Sequence, residues 1–526
     1  MRLLPPIHAL PRLPLALALA LTLAMSALPV PLNVLAHQQA VLERPLDPAR
    51  PPPPAPLPVP NPTKSFWLDS APDANPLAKE GSDGPLTHDA DIAIIGSGIT
   101  GVSAAYHLAR ILAERDDADR TTPLKIVILE ARDFCSGATG RNGGHLTAHA
   151  FHDFAPYAAA HGIPDALRAV ALENRTVAHI VALLHDSGAD AQVDLVAGGR
   201  THLMFTRAEE EATRRDYEMA KEAGVDLEGV EFLTKEQVQE RYGASYAGVR
   251  TPGYNLWPLK LVTHLYRLAL RTGLDTSSSS LTLHTRTPVT SIAPSPANDS
   301  SRRWTLHTPR GPLAASYVLH ATNAYASSLL PFLQGPAGIV PTRGQVIATR
   351  AAVPLHVLTT GAFTANEGFE YWFPRPVHRT EDEEKPLVIL GGGRETAHPA
   401  FELYEPDDSA LDPAVGRALR AFLPAVFPGR YAPGAEPEME WTGIMGFTKT
   451  GDPFVGPVLD PADPASGVHE GQYIAAGYTG HGMPRAYSWC VPTSLCLFLS
   501  SPSPFAYALS SSCTREHEQW PSVSTG

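Results

Sequence analysis

The sequence predicts a protein of the α/β class, α+β overall, with one domain wound around a parallel sheet and a second domain built on an antiparallel sheet. Two short apolar runs, at 92–95 and 125–129, flank a helical pattern of apolar residues over 102–112 and predict the parallel sheet. Strand-like segments at 344–349, 371–373 and 387–390 predict the antiparallel one. Because the two groups lie far apart along the chain, we expect two sheets.

A glycine turn separates the first apolar run from the helical pattern. Gly96 would make the turn, Gly98 would let a pyrophosphate approach the backbone, and Gly101 would let the helix pack on the strand. The helix N-terminus at Ile99 and Thr100 would offer backbone N–H groups to the phosphates. We interpret the turn as part of a Rossmann-like dinucleotide-binding domain; a glycine-bearing turn in another α/β fold is the alternative.

The second apolar run ends in an acidic residue, Glu130, whose side chain suits a hydrogen bond to a ribose 2′-hydroxyl. It lies farther from the glycines than the usual ~20 residues. The polar stretch 114–123 accounts for the difference as an extra loop. A βαβ unit with an acid at its end therefore supports dinucleotide binding.

The segment on the C-terminal side of Glu130 is more specific. Its residues SGATGRNGGH (136–145) resemble those of the flavoprotein superfamily of D-amino-acid oxidase, in the amine-oxidising branch that includes the gamma-glutamylputrescine oxidases. Further matching segments are VLHATNAY (318–325), WTGIMGFT (441–448) with GDPFVGP (451–457), and AGYTGHGMP (476–484). They occur in the family's order and extend the likeness over residues 88–487.

The resemblance implies that the cofactor is FAD, held without a covalent bond, because no histidine or cysteine matches a known attachment site. If FAD were bound covalently, His145 and Cys135 would be the candidate attachment sites. No metal is expected. The cofactor-binding residues that the resemblance implies are Gly96, Gly98, Ile99, Thr100, Gly101, Glu130, Ala131, Arg132, Ser136, Thr139, Arg141, Asn142, Gly143, Gly144, His145, Val289, Ala321, Thr322, Gly446, Gly477, Gly480, His481, Gly482 and Met483.

The chemistry implied by the family is hydride transfer from a carbon bearing an amine to flavin N5, with oxygen as the expected acceptor. The candidate catalytic residues are His145, His481 and Tyr371. A structural hydrogen bond is the alternative for each histidine, and an ordinary core aromatic is the alternative for Tyr371. A flavin-dependent dehydrogenase of another substrate class, and a catalytically silent protein of this fold, are the alternative functions.

One departure from the family concerns the substrate, which we expect to be a small-molecule amine. Many amino-acid-oxidising relatives place an arginine in a W-x-G-x-R pattern to bind the substrate carboxylate, and here Met445 occupies that position. The departure favours an amine without a carboxylate at that end. Arg343 or Arg394 could bind a carboxylate instead.

The predicted domains are discontinuous in sequence. The FAD-binding domain would collect residues 88–150, 250–330 and 441–490, and the substrate domain would collect 151–249 and 331–440. Residues 37–87, which include PPPPAPLPVPNP, are predicted to form a proline-rich linker. Residues 491–526 form a tail that is atypical of the family, because prolines interrupt the helix expected there.

Residues 1–36 are predicted to be a signal peptide, with cleavage after Ala36 preferred and Ala27 as the second candidate. This predicts secretion and no stable membrane span after cleavage. The alternatives are an uncleaved membrane anchor, or a cytoplasmic protein if the N-terminus is an artefact of the gene model. Cysteine is scarce, with 4 in 526 residues, so no disulfide framework is expected.

Charge excludes one class of partner. The formal net charge is −13, which gives no electrostatic footprint for nucleic acid. We therefore expect no nucleic-acid binding. The sequence leaves the oligomeric state open.

Overall fold

The computed structural model describes residues 28–44, 52–113, 124–274, 279–296, 302–378, 380–397 and 401–488. The predicted signal-peptide core, the predicted 114–123 loop and the atypical tail lie outside these ranges. The helices are α1 (Leu35–Leu42), α2 (Phe66–Asp69), α3 (Ile99–Ala113), α4 (Phe154–His161), α5 (Ile163–Asp186), α6 (Arg207–Glu222), α7 (Lys235–Tyr242), α8 (Pro258–Ala269), α9 (Thr380–Glu384) and α10 (Pro413–Val426).

The strands of the described residues fall into two large sheets and one short pair. They are β1 (Asp89–Ile95), β2 (Lys125–Leu129), β3 (His145–Leu146), β4 (Arg200–Met204), β5 (Glu231–Leu233), β6 (Ala247–Thr251), β7 (Tyr254–Asn255), β8 (Ser280–His284), β9 (Ser291–Pro294), β10 (Trp304–Thr308), β11 (Gly311–His320), β12 (Val340–Arg350), β13 (Ala362–Ala365), β14 (Glu370–Pro374), β15 (Leu387–Gly392), β16 (Met439–Phe447), β17 (Phe454–Pro457) and β18 (Gln472–Ala476).

The first sheet has the order β17-β18-β11-β1-β2-β8, with β10 and β9 extending from β11. Its five strands from β18 to β8 run parallel. Helices α3 and α8 pack on one face, where Val102, Leu108 and Leu265 are fully buried. Parallel strands covered by helices confirm the predicted Rossmann-like domain.

The second sheet has the order β16-β12-β15-β14-β13-β4-β6-β5. All neighbouring pairs are antiparallel except β4 and β13, which run parallel. Helix α10 buries its apolar side, including Leu419 and Phe422, against one face. Trp372 lies on that face, where it stacks on Phe363, while the neighbouring Tyr371 lies on the other face.

The sheets correct one predicted domain boundary. Strand β16 was expected in the FAD-binding domain, but it pairs with β12 from Val340 to Ala348 and so belongs to the second sheet. The physical reason is that β12 and β16 pair along nine residues each, and these backbone hydrogen bonds hold β16 in the second sheet. Strands β17 and β18 then return to the first sheet.

The part of the predicted linker that the structure describes packs on the body of the protein. Trp67 is fully buried, and its Nε1 donates to Asn142 O at 2.6 Å. Ser65 Oγ donates to Gly140 O at 2.6 Å. Prolines keep this segment extended, but its aromatic residues bury enough apolar surface to pack it on the body of the protein.

Residues 28–36, which cleavage after Ala36 would remove, also pack on the body. Val30 is 6% exposed within the apolar cluster of the second sheet. Leu35 N donates to Glu367 Oε2 at 2.9 Å. Among the helices in the described ranges, none has both the length and the apolar character that crossing a bilayer requires.

Candidate active site

A large cavity of about 1350 Å³ lies between the two sheets. Its walls come from the glycine turn after β1, the 136–145 loop, the segment after β11, strand β16 and the 478–486 turn. Single small-molecule sites usually measure about 300–1,000 Å³. The cavity is therefore large enough for a cofactor and a substrate together.

The phosphate end of the cavity is formed by the glycine turn. Gly96 has φ +113, and a Cβ there would lie 2.6 Å from Ala321 O, so only glycine fits. A Cβ on Gly98 would lie 3.1 Å from Thr139 Oγ1, which in turn accepts from Ile99 N at 3.1 Å. Gly98, Ile99 and Thr100 line the cavity at the N-terminus of α3, and a helix N-terminus is the kind of position that binds a pyrophosphate.

Glu130 lies directly after β2, beside this turn. Its Oε2 accepts from Ser97 N at 3.0 Å and from Ser97 Oγ at 2.7 Å, while Oε1 accepts from Arg132 N at 3.0 Å. A carboxylate has about four acceptor positions, so one remains for a ribose hydroxyl. The hydrogen bonds fix the carboxylate at the cavity wall.

Arg132 and Arg141 line the cavity, but their guanidinium groups bind other groups of the protein. Arg132 Nη1 donates to both oxygens of Asp408, at 2.8 and 3.0 Å. Arg141 Nε lies 3.5 Å from Asp408 Oδ2 and donates to Ser136 O at 2.9 Å. Asp408 therefore ties the 136–145 loop to the segment that precedes α10.

The end of the cavity at which the flavin ring is expected, called the ring end below, is formed by the 136–145 loop under the second sheet. A Cβ on Gly143 would lie 2.3 Å from Tyr371 Cε2, so glycine is needed for this close approach. Tyr371 pairs with Thr364 and Gly391, and Gly391 pairs with Val346. Directly paired residues share a face of the sheet, so this row forms the roof of the cavity.

His145 lies at the centre of this region. Its ring makes edge contacts with Tyr371 and Phe373, both at 5.5 Å between centroids. Burial lowers the pKa of His145 to about 4, so the imidazole is neutral at pH 7. Its buried Nε2 has no hydrogen-bond partner in the described protein, and neither has Thr322 Oγ1 at the other end of the cavity. Such orphaned polar atoms fit a bound cofactor.

His481 belongs to a buried clamp around Glu173 of α5. Glu173 Oε2 accepts from His149 N at 2.7 Å and lies 3.1 Å from His481 Nε2, and Oε1 accepts from Arg485 Nε at 2.6 Å. Burial alone would raise the pKa of Glu173, but its positive and hydrogen-bonding neighbours hold it well below the ordinary value. The clamp fixes the 478–486 turn against α5.

The ligand atoms of His149, Glu173 and His481 lie within 4.8 Å of one another, as in a metal site. The two imidazoles, however, stack with centroids 3.7 Å apart and planes only 21° apart. Their in-plane lone pairs do not converge on one point, and Arg485 already binds the carboxylate. We therefore interpret the group as an ion-pair clamp.

Most of the predicted site residues line one cavity. Gly101, Ser136, Gly144, Gly446 and Gly477 do not, because they pack behind its wall. The predicted residues that line it are Gly96, Gly98, Ile99, Thr100, Glu130, Ala131, Arg132, Thr139, Arg141, Asn142, Gly143, His145, Val289, Ala321, Thr322, Tyr371, Gly480, His481, Gly482 and Met483.

Several residues on which the site depends were not predicted, among them Asp408, Glu173 and Asn323. Asp408 and Glu173 act through arginines that are distant in sequence, and Asn323 Oδ1 accepts from Gly477 N at 3.0 Å. Asn323 lies inside the VLHATNAY segment and has φ +45, so asparagine was a turn signal there. Isolated acidic residues such as the other two carry no sequence signal.

The arginines considered for a substrate carboxylate differ in their surroundings. Arg343 is paired with Glu402 and donates to Asp407 O at 3.1 Å, and it does not line the cavity. Arg394 does line the cavity, as does Met445. Only Arg394 therefore remains of the two alternatives to Met445.

Comparison with known proteins agrees with this geometry. The model of the DAO family, described as FAD dependent oxidoreductase, matches residues 91–487. The chain is 23% identical to "Probable oxidoreductase OrdL" of Rhizobium meliloti (strain 1021) over 405 residues, covering 76% of this chain and 81% of that protein. Glycine oxidase of Geobacillus kaustophilus superposes with a TM-score of 0.56 at 21% identity, covering 79% of this chain and 96% of that one. L-proline dehydrogenase from P. horikoshii superposes with a TM-score of 0.56 at 19% identity, covering 77% and 92%.

Proposed function

Since the chain belongs to the DAO family of FAD-dependent oxidoreductases, we propose that it oxidises the C–N bond of a small amine or amino-acid-like substrate. The observation that carries the proposal is that the family's separate segments and the second sheet enclose one cavity. When bound there, FAD supplies the acceptor for the substrate's hydride. The protein supplies the binding, the orientation and the charge environment.

The phosphate end would hold the pyrophosphate on the N-terminus of α3 and the ribose on Glu130. The other end would place the reacting face beside the close contact of Gly143 with Tyr371. Tyr371 forms part of the wall there, and burial raises the pKa of its phenol to about 12. Tyr371 is thus a protonated aromatic wall and a hydrogen-bond donor at pH 7, not a base.

Positive groups near His145 and Tyr371 favour the neutral amine that hydride loss requires. His145 is uncharged at pH 7, and Arg200 and Arg394 are cationic groups that line the same cavity. A neighbouring positive charge and a desolvated pocket both lower the pKa of an amine. The arriving ammonium would therefore lose its proton more readily here than in water.

An oxygen-electrode assay on the purified holoenzyme tests this proposal. We expect oxygen uptake with equal release of hydrogen peroxide on addition of a primary or secondary amine from a panel with and without carboxylates. Bleaching of the flavin by an amine without oxygen uptake would indicate an amine dehydrogenase with another electron acceptor, whereas bleaching only by a non-amine would favour the alternative of another substrate class. No bleaching with any amine would favour a catalytically silent protein.

A further inference from the structure

Helix α1 lies outside the family domain, which begins at residue 91, yet it forms part of the cavity wall. Gln38 and Leu42, one turn apart, both face inward and are 5% and 1% exposed. Leu42 packs in an apolar cluster with Phe369, Phe401 and Phe447. The helix therefore closes the cavity at the end that contains Phe369 and Phe447.

Polar contacts hold α1 in this position. Leu35 N, in its first turn, donates to Glu367 Oε2 at 2.9 Å, which places a carboxylate at the positive end of the helix. Gln39 Nε2 donates to Lys449 O at 3.2 Å. The helix is thus fixed both to the turn after β16 and to the turn before β14.

The inner face of α1 meets Arg394. Its guanidinium carbon lies 4.3 Å from the Phe369 ring centroid and 5.3 Å from that of Phe447, and Nη1 donates to Gln38 Oε1. Within the described part of the chain, no carboxylate forms an ion pair with Arg394. Burial lowers the pKa of Arg394, and Glu395 and Glu370, which lie nearby but beyond ion-pair distance, offset part of this effect. The cavity thus contains a cation whose side-chain hydrogen-bond partner is a neutral amide.

Two buried arginines of this protein are paired with carboxylates, whereas Arg200, which also lines the cavity, forms no ion pair among the described residues. Arg132 is paired with Asp408, and Arg375 is paired with Asp194. Burying a guanidinium without an anion is costly. The remaining N–H groups of Arg394 can still bind a carboxylate in a bidentate manner, because Gln38 uses one donor of Nη1.

We infer that Gln38 of helix α1 is a specificity-determining residue: it orients Arg394 without neutralising it, so that the site accepts the anionic end of a substrate. The inference rests on the proposed function for the identity of that substrate, an amine that carries a carboxylate. A carboxylate at position 38 would occupy Arg394 and exclude the substrate's own. The N-terminal helix, absent from the family domain, would then select the substrate class.

The test compares Gln38→Glu with Ala40→Glu, which adds the same charge on the exposed side of α1. Acetate and its neutral analogue acetamide are titrated into each holoenzyme, and binding is followed by the change in the visible spectrum of the flavin. We expect Gln38→Glu to weaken acetate binding by about tenfold or more relative to Ala40→Glu. Acetamide binding should differ little between them.

Two further variants keep the test decisive if Gln38→Glu does not fold. Gln38→Met removes the orienting amide but adds no anion, so it should weaken acetate binding less than Gln38→Glu does, and Arg394→Met should lose acetate binding. Equal acetate affinity in Gln38→Glu and Ala40→Glu, acetate binding that survives Arg394→Met, or no acetate binding by the wild type would each overturn the inference. Spectral titration needs no turnover, so failure of every amine in the oxidase assay would contradict the proposed function separately.

Discussion

Replacing Asp408 with asparagine should destabilise the protein and weaken its hold on FAD. Asp408 is the shared anion of Arg132 and Arg141, and the three side chains are 1%, 5% and 2% exposed. Asparagine keeps the shape but removes the charge, which leaves two buried cations without their anion. Breaking a buried ion pair costs about 3–5 kcal/mol, and we expect a loss of that size.

Urea unfolding of the holoenzyme, followed by circular dichroism and flavin fluorescence, measures this loss. Asp407→Asn is the matched control, because the neighbouring carboxylate accepts from Ser409 and forms no ion pair among the described residues. This substitution should cost at most about 1 kcal/mol. The bound FAD per chain should fall in Asp408→Asn, because both arginines hold Ser136 O of the loop beside the cofactor. Equal stability and equal FAD content in the two variants would refute the reasoning.

The remaining predictions concern the cofactor, acid stability and processing. Gly98→Val should yield colourless protein on purification, because the added side chain would enter the pyrophosphate space; full flavin absorbance would contradict this. Burial lowers the pKa of His107 and His320 to about 4, whereas the unfolded chain titrates near the ordinary value of 6.5. The free energy of unfolding should therefore fall as pH drops from 6.5 to 4, by up to about 3 kcal/mol per histidine, and His320→Gln should flatten the profile. If the protein is exported, Edman sequencing of the mature form should begin at Leu28, since the packed residues 28–36 would then be retained; a start at His37 would contradict this.

Local motifs were enough to predict the cofactor domain. The glycine turn, the acid after β2 and the 136–145 segment each fix a short stretch of backbone, and adjacent strands of a βαβ unit follow from chain order. Gly143 shows the limit of this reasoning. The resemblance placed it among the cofactor-binding residues, but only the second sheet reveals that the group nearest to it is Tyr371.

Long-range partners could not be predicted. Asp408 lies 276 residues from Arg132, and Glu173 lies 312 residues from Arg485, and neither acid belongs to a recognisable motif. The edge position of β16 depends on its register with β12, and an apolar segment alone does not specify a partner strand. The packing of the proline-rich segment depends on the burial of Trp67 against residues that are distant from it in sequence.

Anaerobic mixing of the holoenzyme with a series of amines most directly tests the assignment of an FAD-dependent C–N oxidation to this cavity. After acid precipitation of an untreated sample, free flavin should appear in the supernatant, since the cofactor is predicted to be non-covalent. On mixing, at least one amine should bleach the visible flavin band, and amines that carry a carboxylate should do so faster than their uncharged analogues. Flavin that stays oxidised with every amine, while a hydroxy acid or another non-amine bleaches it, would contradict the account.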